Sequence, residues 1–327
     1  MSRGDYSVEI TKTSAVKSSS EGPVAELGSA LSRLGHSVEQ KSKSVSHDVA
    51  DGVQQGLDAG REAVSTVKHL VGALGDGKGK MPGPKVRQHP TLHSHNDEMR
   101  SHPLSDALRA GSSSVEVDTH LVDGKLLIGH DAKLAKLVGR DLEEYYLKPL
   151  ADRVKKHGKV YSNGEKPFTL EIEFKDQAEE SYAALKPLLK KYEKMLTRYE
   201  DGRRVEGPVS VVMTGQTPMQ ARDENPRLVS FDGTASKLLS HPELVDKNLT
   251  PRVNGRWSDY FGWTGEGKMS AKDEATLKTM VERSKARGVE LRFWEAPDNP
   301  RVWKILRDAG VTLISTDHPG DFAAWDR

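Results

Sequence analysis

No cysteine occurs anywhere in the 327 residues. Disulfides, thiolate metal centres and cysteine nucleophiles are therefore excluded, and the chain suits either redox compartment. Aromatic residues are scarce and uneven: of the five Trp, eight Tyr and six Phe, only Tyr6 precedes Tyr145. A surplus of either charge is also missing, with Lys and Arg at 49 against Asp and Glu at 48. That balance gives no argument for a nucleic-acid partner or for an anionic membrane. No apolar run approaches the ~20 residues that span a bilayer. The opening MSRGDYSVEITKTSAVKSSS lacks the apolar centre of a secretory signal. A cytoplasmic location is the default expectation, with export by a non-classical route left open.

What is present falls into two regions of different character. Residues 1 to about 23 are rich in Ser, Lys and Thr and read as disordered. From Val24 the aliphatics come at steps of three and four (Leu27, Leu31, Leu34, Val38, later Val64, Val67, Val71 and Leu74), the mark of a narrow apolar helical stripe. Gly28, Gly35, Gly52, Gly56 and Gly60 interrupt it, each at a cost of about 1 kcal/mol relative to Ala. Such a helix is weak alone. It can be marginal and without chemistry, can pair with another helix, or can make peripheral membrane contact through residues 24–74; its polar face mixes charge signs, which argues against the last. GDGKGKMPGPK, residues 75–85, has linker composition. The expected division is 1–85 for this region and its linker, and 86–327 for a folded domain.

From residue 86 apolar strand-like runs alternate with helical patterns. Strands are expected near 86–93, 114–120, 168–175, 209–213, 227–231, 251–255, 289–294 and 312–316. Helices are expected at Pro103–Ala110, Asp141–Lys156, Ala178–Tyr199, Ala271–Arg287 and Pro300–Ala309. Repeated alternation of this kind predicts a parallel sheet with right-handed crossovers. Eight units in this length approach the usual ~250 residues of a (β/α)8 TIM barrel. A doubly wound sheet is the alternative.

In a barrel the chemistry sits at the C-terminal ends of the strands. The first strand closes on His93, followed by Ser94, His95 and Asn96. In SSSVEVDTHL, Glu116 and Asp118 lie two apart and so project from one face. Carboxylates turned inward together are expensive to bury as anions unless a cation neutralises them, and oxygen ligands favour Mg²⁺ or Ca²⁺. LVDGKLLIGHD then turns at Asp123-Gly124 and returns to His130 and Asp131. FTLEIEFKD directs Leu170, Ile172 and Phe174 outward and Glu171, Glu173 and Lys175 inward. An E-x-D alone is most often solvated surface, and a lone loop histidine is usually filler. The order H-x-H-N, E-x-D, GHD, E-x-K is what carries weight. Two histidines, an acidic cation site and an inward lysine suit a phosphate ester, one histidine deprotonating the nucleophile while the other protonates the leaving alkoxide.

At these residues the chain resembles the TIM-barrel phosphodiesterase superfamily, which includes glycerophosphodiester phosphodiesterases and phosphatidylinositol-specific phospholipases C. It looks most like the group containing the fungal altered-inheritance-of-mitochondria proteins. The resemblance rests on LHSHNDE (92–98), SVEVDTHLVDGKLLIGHD (114–131), LEIEFK (170–175), LRFWEAPDN (291–299) and GVTLISTDHP (310–319). It implies acid/base roles for His93 and His130 and metal ligation by Glu116, Asp118 and Glu173. It further implies phosphate contact by Lys175, packing of Trp294 under the substrate and a supporting role for Asp317. The HRG and ENT motifs usual in glycerophosphodiesterases are absent. This leaves the choice between His93 and His95 open, with His95 and Asn96 as phosphate- or substrate-binding residues, and lets Glu171 replace or assist Glu173.

The expectation is thus a phosphoric diester hydrolase using one divalent cation on a glycerophosphodiester or a (lyso)phospholipid-type substrate. The contrasting expectation is a barrel without catalysis that binds lipid or phosphate.

Overall fold

The structure, a computed structural model, describes residues 77–327. The expected disorder and the aliphatic stripe of residues 24–74 lie outside the described residues. Eight parallel strands close into a barrel. In chain order the strands are β1 (His89–Ser94), β2 (Ser112–Val122), β3 (Lys125–Ile128), β4 (Phe168–Phe174), β5 (Arg198–Glu200), β6 (Arg203–Val205), β7 (Val209–Gly215), β8 (Ser230–Thr234), β9 (Arg252–Arg256), β10 (Glu290–Trp294) and β11 (Leu313–Thr316). The barrel runs β1-β2-β4-β7-β8-β9-β10-β11 and closes where β11 pairs with β1. β3 is an antiparallel edge on β2, and β5–β6 form a separate hairpin.

Helices lie between the strands: α1 (Ser105–Ala110), α2 (Ala132–Val138), α3 (Lys148–His157), α4 (Ala178–Lys191), α5 (Ala235–Ser240), α6 (Trp257–Tyr260), α7 (Ala271–Arg287), α8 (Pro300–Ala309) and α9 (Pro319–Trp325). Local chemistry explains the limits of the clearest ones. Ser270 accepts a hydrogen bond from the Asp273 N–H at the start of α7, with Asp273 and Glu274 in its first turn and Lys285 and Arg287 in its last; those charges complement the helix dipole. Asn299 caps α8 ahead of Pro300 at the first turn, where proline's missing N–H costs nothing.

Strand alternation divides the molecule into two environments. Val115, Val117, Leu170, Ile172, Phe174, Val211 and Met213 point outward into one buried cluster with Leu108, Tyr146 and Tyr182. Leu291, Phe293, Val253 and Ile314 do the same in a second cluster with Trp257, Trp303 and Phe322. Each such side chain contributes roughly 1.5–3 kcal/mol on burial, so the shell between sheet and helices carries the stability. The intervening residues of β2, β4, β9 and β10 (Glu116, Asp118, Glu171, Arg252 and Arg292) are buried too, and they face the barrel interior.

Differences from expectation are local. The helix expected over Ala178–Tyr199 ends at Lys191, because Arg198–Glu200 pairs with Arg203–Val205 across Asp201-Gly202. Both turn residues have positive φ, 51° and 72°, as a two-residue hairpin needs; Asp123-Gly124 turns β2 into β3 in the same way, at 51° and 76°. The strand expected at 227–231 lies at Ser230–Thr234, since Arg227 instead bridges to Tyr199 and donates to the carbonyls of Val229 and Asn248. Residues 78–83 are strapped to the barrel despite their linker composition. The Lys80 carbonyl accepts from Ser105 Oγ and Arg109, and buried Arg153 donates to the carbonyls of Pro82 (2.6 Å) and Gly83 (3.0 Å). No helix of the described residues is long and apolar enough to cross a membrane.

Candidate active site

Strand register builds the site. β2 and β4 pair so that Glu116 stands beside Glu171 and Asp118 beside Glu173, with Val212 and Thr214 next on β7. Inward carboxylates are therefore adjacent on neighbouring strands. Ligand oxygens of Glu116, Asp118 and Glu173 lie within 4.8 Å of one another. Lys175 Nζ reaches Asp118 Oδ2 at 2.9 Å and Glu173 Oε1 at 2.8 Å. Burial, then the charge of Glu173, pushes the Asp118 carboxyl up to about 7. Its Oδ1 is buried without a hydrogen bond. An oxygen-only cluster with an unsatisfied buried carboxylate suits a hard divalent ion, so the residues present fit the cation that the sequence implies.

The second group of possible ligands, His93, Glu116 and Glu171, is already served by a guanidinium. Arg292 Nη1 contacts Glu116 Oε2 and, at 2.8 Å, His93 Nε2, while Nη2 lies 3.1 Å from Glu171. Arg252 holds the other oxygen of Glu171. Glu171 thus sits between two arginines, away from the role of substitute for Glu173. For Glu116, burial works against the anion, but Arg292, His95 and His93 together hold the carboxyl well below its usual range.

The histidines divide sharply. His93 is fully buried. An arginine can only donate, so His93 Nε2 accepts from Arg292 and Nδ1 donates to Ser114 Oγ at 2.7 Å. Burial and the Arg292 charge lower its pKa to about 4. His93 is a neutral ring with both nitrogens engaged. His95, with 26% of its side chain exposed, places Nδ1 3.0 Å from Asp317 Oδ1. Burial would lower its pKa, but Glu116 and Asp317 together raise it to about 9. His130 is exposed in the turn after β3. The preceding Gly129 N–H donates to the Asp118 carbonyl (3.0 Å), and Asp131 caps α2 through the N–H groups of Lys133 and Leu134.

The loop after β1 is tied down by Asp97, which accepts from Ser94 Oγ, the Leu104 N–H and the Tyr146 hydroxyl. Arg100 bridges the His95 and Asp317 carbonyls at 3.0 and 2.8 Å. Asn96 occupies the left-handed region at φ 46° and starts the 3-10 turn Asp97–Met99, a conformation asparagine tolerates better than most residues. Trp294 ends β10, with the Arg256 guanidinium 5.4 Å from its ring centre. Asp298 holds the rim, accepting from Thr316 Oγ1, the Asp317 N–H and Trp303 Nε1.

Four residues here escaped sequence reasoning. Glu98 is buried, accepts from the Asp118 N–H at 3.3 Å, and leaves Oε1 without a hydrogen bond. Burial and the Asp118 charge push its carboxyl well above the usual range. Arg292, Arg252 and Asp232 were legible by the alternation already applied to Glu171 and Glu173. Each is a charged residue within a strand whose neighbours face the apolar shell.

Residues 86–232 match the AIM6-like phosphodiesterase domain. The chain is 27% identical over 260 residues to the altered inheritance of mitochondria protein 6 homolog of Arthroderma benhamiae, covering 69% of this chain and 80% of that protein. It is 26% identical over 272 residues to altered inheritance of mitochondria protein 6 of Lachancea thermotolerans, covering 70% and 63%. Among solved structures, a glycerophosphodiester phosphodiesterase from Parabacteroides distasonis aligns with a TM-score of 0.46 and 16% identity over 72% of this chain and 95% of that one. An Oleispira antarctica phosphodiesterase in complex with the product sn-glycerol-3-phosphate aligns with a TM-score of 0.48 and 16% identity over 72% and 96%. The similarity to the AIM6-like phosphodiesterase domain thus spans residues 86–232, which include His93, Glu116, Asp118, His130, Glu173 and Lys175.

Proposed function

We propose that the protein is a divalent-cation-dependent phosphoric diester hydrolase that acts on a glycerophosphodiester or (lyso)phospholipid-type substrate by histidine acid/base catalysis. The observation that supports this best is the meeting of Glu116, Asp118, Glu173 and Lys175 on one side of the barrel mouth, with the His95–Asp317 pair bordering it.

Glu116, Asp118 and Glu173 would hold Mg²⁺ or Ca²⁺. What the ion supplies when bound is stabilisation of charge on the phosphoryl oxygens. Lys175, carrying its proton, holds the phosphate from the same side. His95 is the acid. Asp317 accepts a hydrogen bond from Nδ1–H and steadies the imidazolium, leaving Nε2–H to protonate the departing alkoxide. His130, in the turn after β3, takes the proton of the attacking hydroxyl or water. The sequence nominates His93 for acid/base work, but in this reading it is a buried anchor, since neither nitrogen has a proton or lone pair to spare. Asn96 and Trp294 border the substrate.

The test is a phosphodiester panel (a soluble glycerophosphodiester, a lysophospholipid, a diacyl phospholipid) run with and without chelator. Cation-restored release of a phosphomonoester or cyclic phosphate is the expected result. Binding without turnover across the panel would favour a barrel that only recognises lipid or phosphate.

A further inference from the structure

Arg292 stands between Leu291 and Phe293 on β10, so strand alternation turns it into the barrel, where branched aliphatics are usual. Its side chain is 3% exposed. One arm of the guanidinium serves Glu116 Oε2 and His93 Nε2, and the other reaches Glu171. Glu171 is held in turn by Arg252, whose Nη2 lies 3.2 Å from Glu290. Glu290, Arg252, Glu171, Arg292 and Glu116 thus form a column of alternating charge. It rises from a cavity of about 310 Å³ bordered by Arg252 and Glu290 to the carboxylate cluster at the mouth.

We propose that Arg292 is a positioning residue for the cation site: it fixes Glu116 through Oε2 and so dedicates Oε1 to an ion shared with Asp118 and Glu173. The inference rests on the cation reading of Glu116 given above. Only a planar fork with two arms at a set angle serves acceptors on β1, β2 and β4 at once. A lysine keeps the charge and loses the fork. Partners behind a metal ligand typically change affinity or activity by about 10–100-fold when removed.

The experiment is calorimetric titration of the full chain with Mg²⁺ and with Ca²⁺, for wild type, Arg292→Lys, Glu116→Gln and the double variant, with folding checked by circular dichroism. Arg292→Lys is expected to weaken the ion by about 10–100-fold in the wild-type background, and by less than about twofold where Glu116 is already Gln. In turnover at saturating cation it is expected to lower kcat more than it changes KM. An equal loss in both backgrounds, or no loss in either, overturns the positioning role and leaves the column as support for the fold alone. If Arg292→Lys does not fold, Glu171→Gln releases the second arm of Arg292, and the same dependence on Glu116 is expected; its absence overturns the proposal. A wild-type chain that binds neither ion overturns the cation reading itself, and this inference with it.

Discussion

Replacing His95 and His93 one at a time separates two histidines only two residues apart. In His95→Ala the proton donor is lost while its surroundings, partly open to water, close over a modest gap. General acid catalysis is typically worth 10²–10⁴-fold, so kcat/KM should fall by that factor, about 3–5 kcal/mol of transition-state stabilisation. The melting temperature should move little. His93→Ala does the reverse. It leaves Ser114 Oγ and one Arg292 N–H without their partner inside a dry barrel, at about 1–3 kcal/mol for each buried group left unsatisfied. A loss of that size lowers the melting temperature of a domain this large by the order of 10 °C. Turnover of the folded fraction should drop only about tenfold, through poorer support of Glu116. The assays are kcat/KM on a soluble glycerophosphodiester and thermal melting by circular dichroism, both with saturating Mg²⁺. If His93→Ala is folded and inactive while His95→Ala turns over at close to the wild-type rate, the acid/base role belongs to His93 and the burial argument is wrong.

The cation site gives two linked outcomes. Mg²⁺ or Ca²⁺ at a hundredfold excess over Kd should stabilise the fold by about 2.7 kcal/mol, and Glu116→Gln should reduce that thermal shift at the same ion concentration; a shift of equal size in both proteins rules Glu116 out as a ligand. Glu116 and the Asp317 carboxylate both favour the charged form of His95, so activity that needs the His95 proton should be kept on the acid side of its raised pKa and lost above it. Asp317→Asn removes one of these two supports and should move the alkaline limb of kcat/KM to lower pH; an unmoved limb assigns it to another group. Beginning the chain at Lys85 instead of Gly77 strips the carbonyls that serve Ser105, Arg109 and Arg153. Melting should then fall by several degrees with kcat/KM on the soluble substrate unchanged, whereas equal melting would show that the strap adds nothing.

The barrel was legible because its signal repeats. Apolar strands with a period of two alternate with helical stretches, and two of the helices, Ala271–Arg287 and Pro300–Ala309, lie within the expected limits because a cap and a following glycine mark each end. The carboxylates were legible for the same reason: two acids two apart in an apolar strand must share a face. The hairpin at Asp201-Gly202 was missed although its turn dipeptide is the same as Asp123-Gly124, because its short, charged strands lack the apolar alternation that draws attention to β3. Spacing could not separate His93 from His95. They lie two apart around the end of one strand, and what divides them is Arg292, nearly two hundred residues away in sequence and brought beside His93 only by closure of β11 onto β1. Glu98 was hidden likewise, since its burial against Asp118 depends on the loop that Asp97 and Arg100 fold.

The charge inside the barrel has a direction. Well-packed apolar residues in place of a buried ion pair are often neutral or stabilising, so stability does not explain why β2, β4, β9 and β10 carry charges where a barrel of this kind usually carries valine and isoleucine. Low in the barrel the carboxylates of the column are answered: Arg252 stands between Glu290 and Glu171, and Arg292 between Glu171 and Glu116, with Asp232 beside them held by Asn254. At the mouth they are not. Asp118 shares Lys175 with Glu173, and Glu98 adds a further buried carboxyl beside it. Neutralising that end by protonation would need a carboxyl held above its ordinary range, and Asp118 and Glu98 are both pushed that way. A divalent ion removes the same repulsion without a proton, and it does so where the strands end and a phosphate can approach. On the positioning role proposed for Arg292, the lower charges serve more than the fold, because a column held by two arginines keeps Glu116 in place whether or not the mouth is filled.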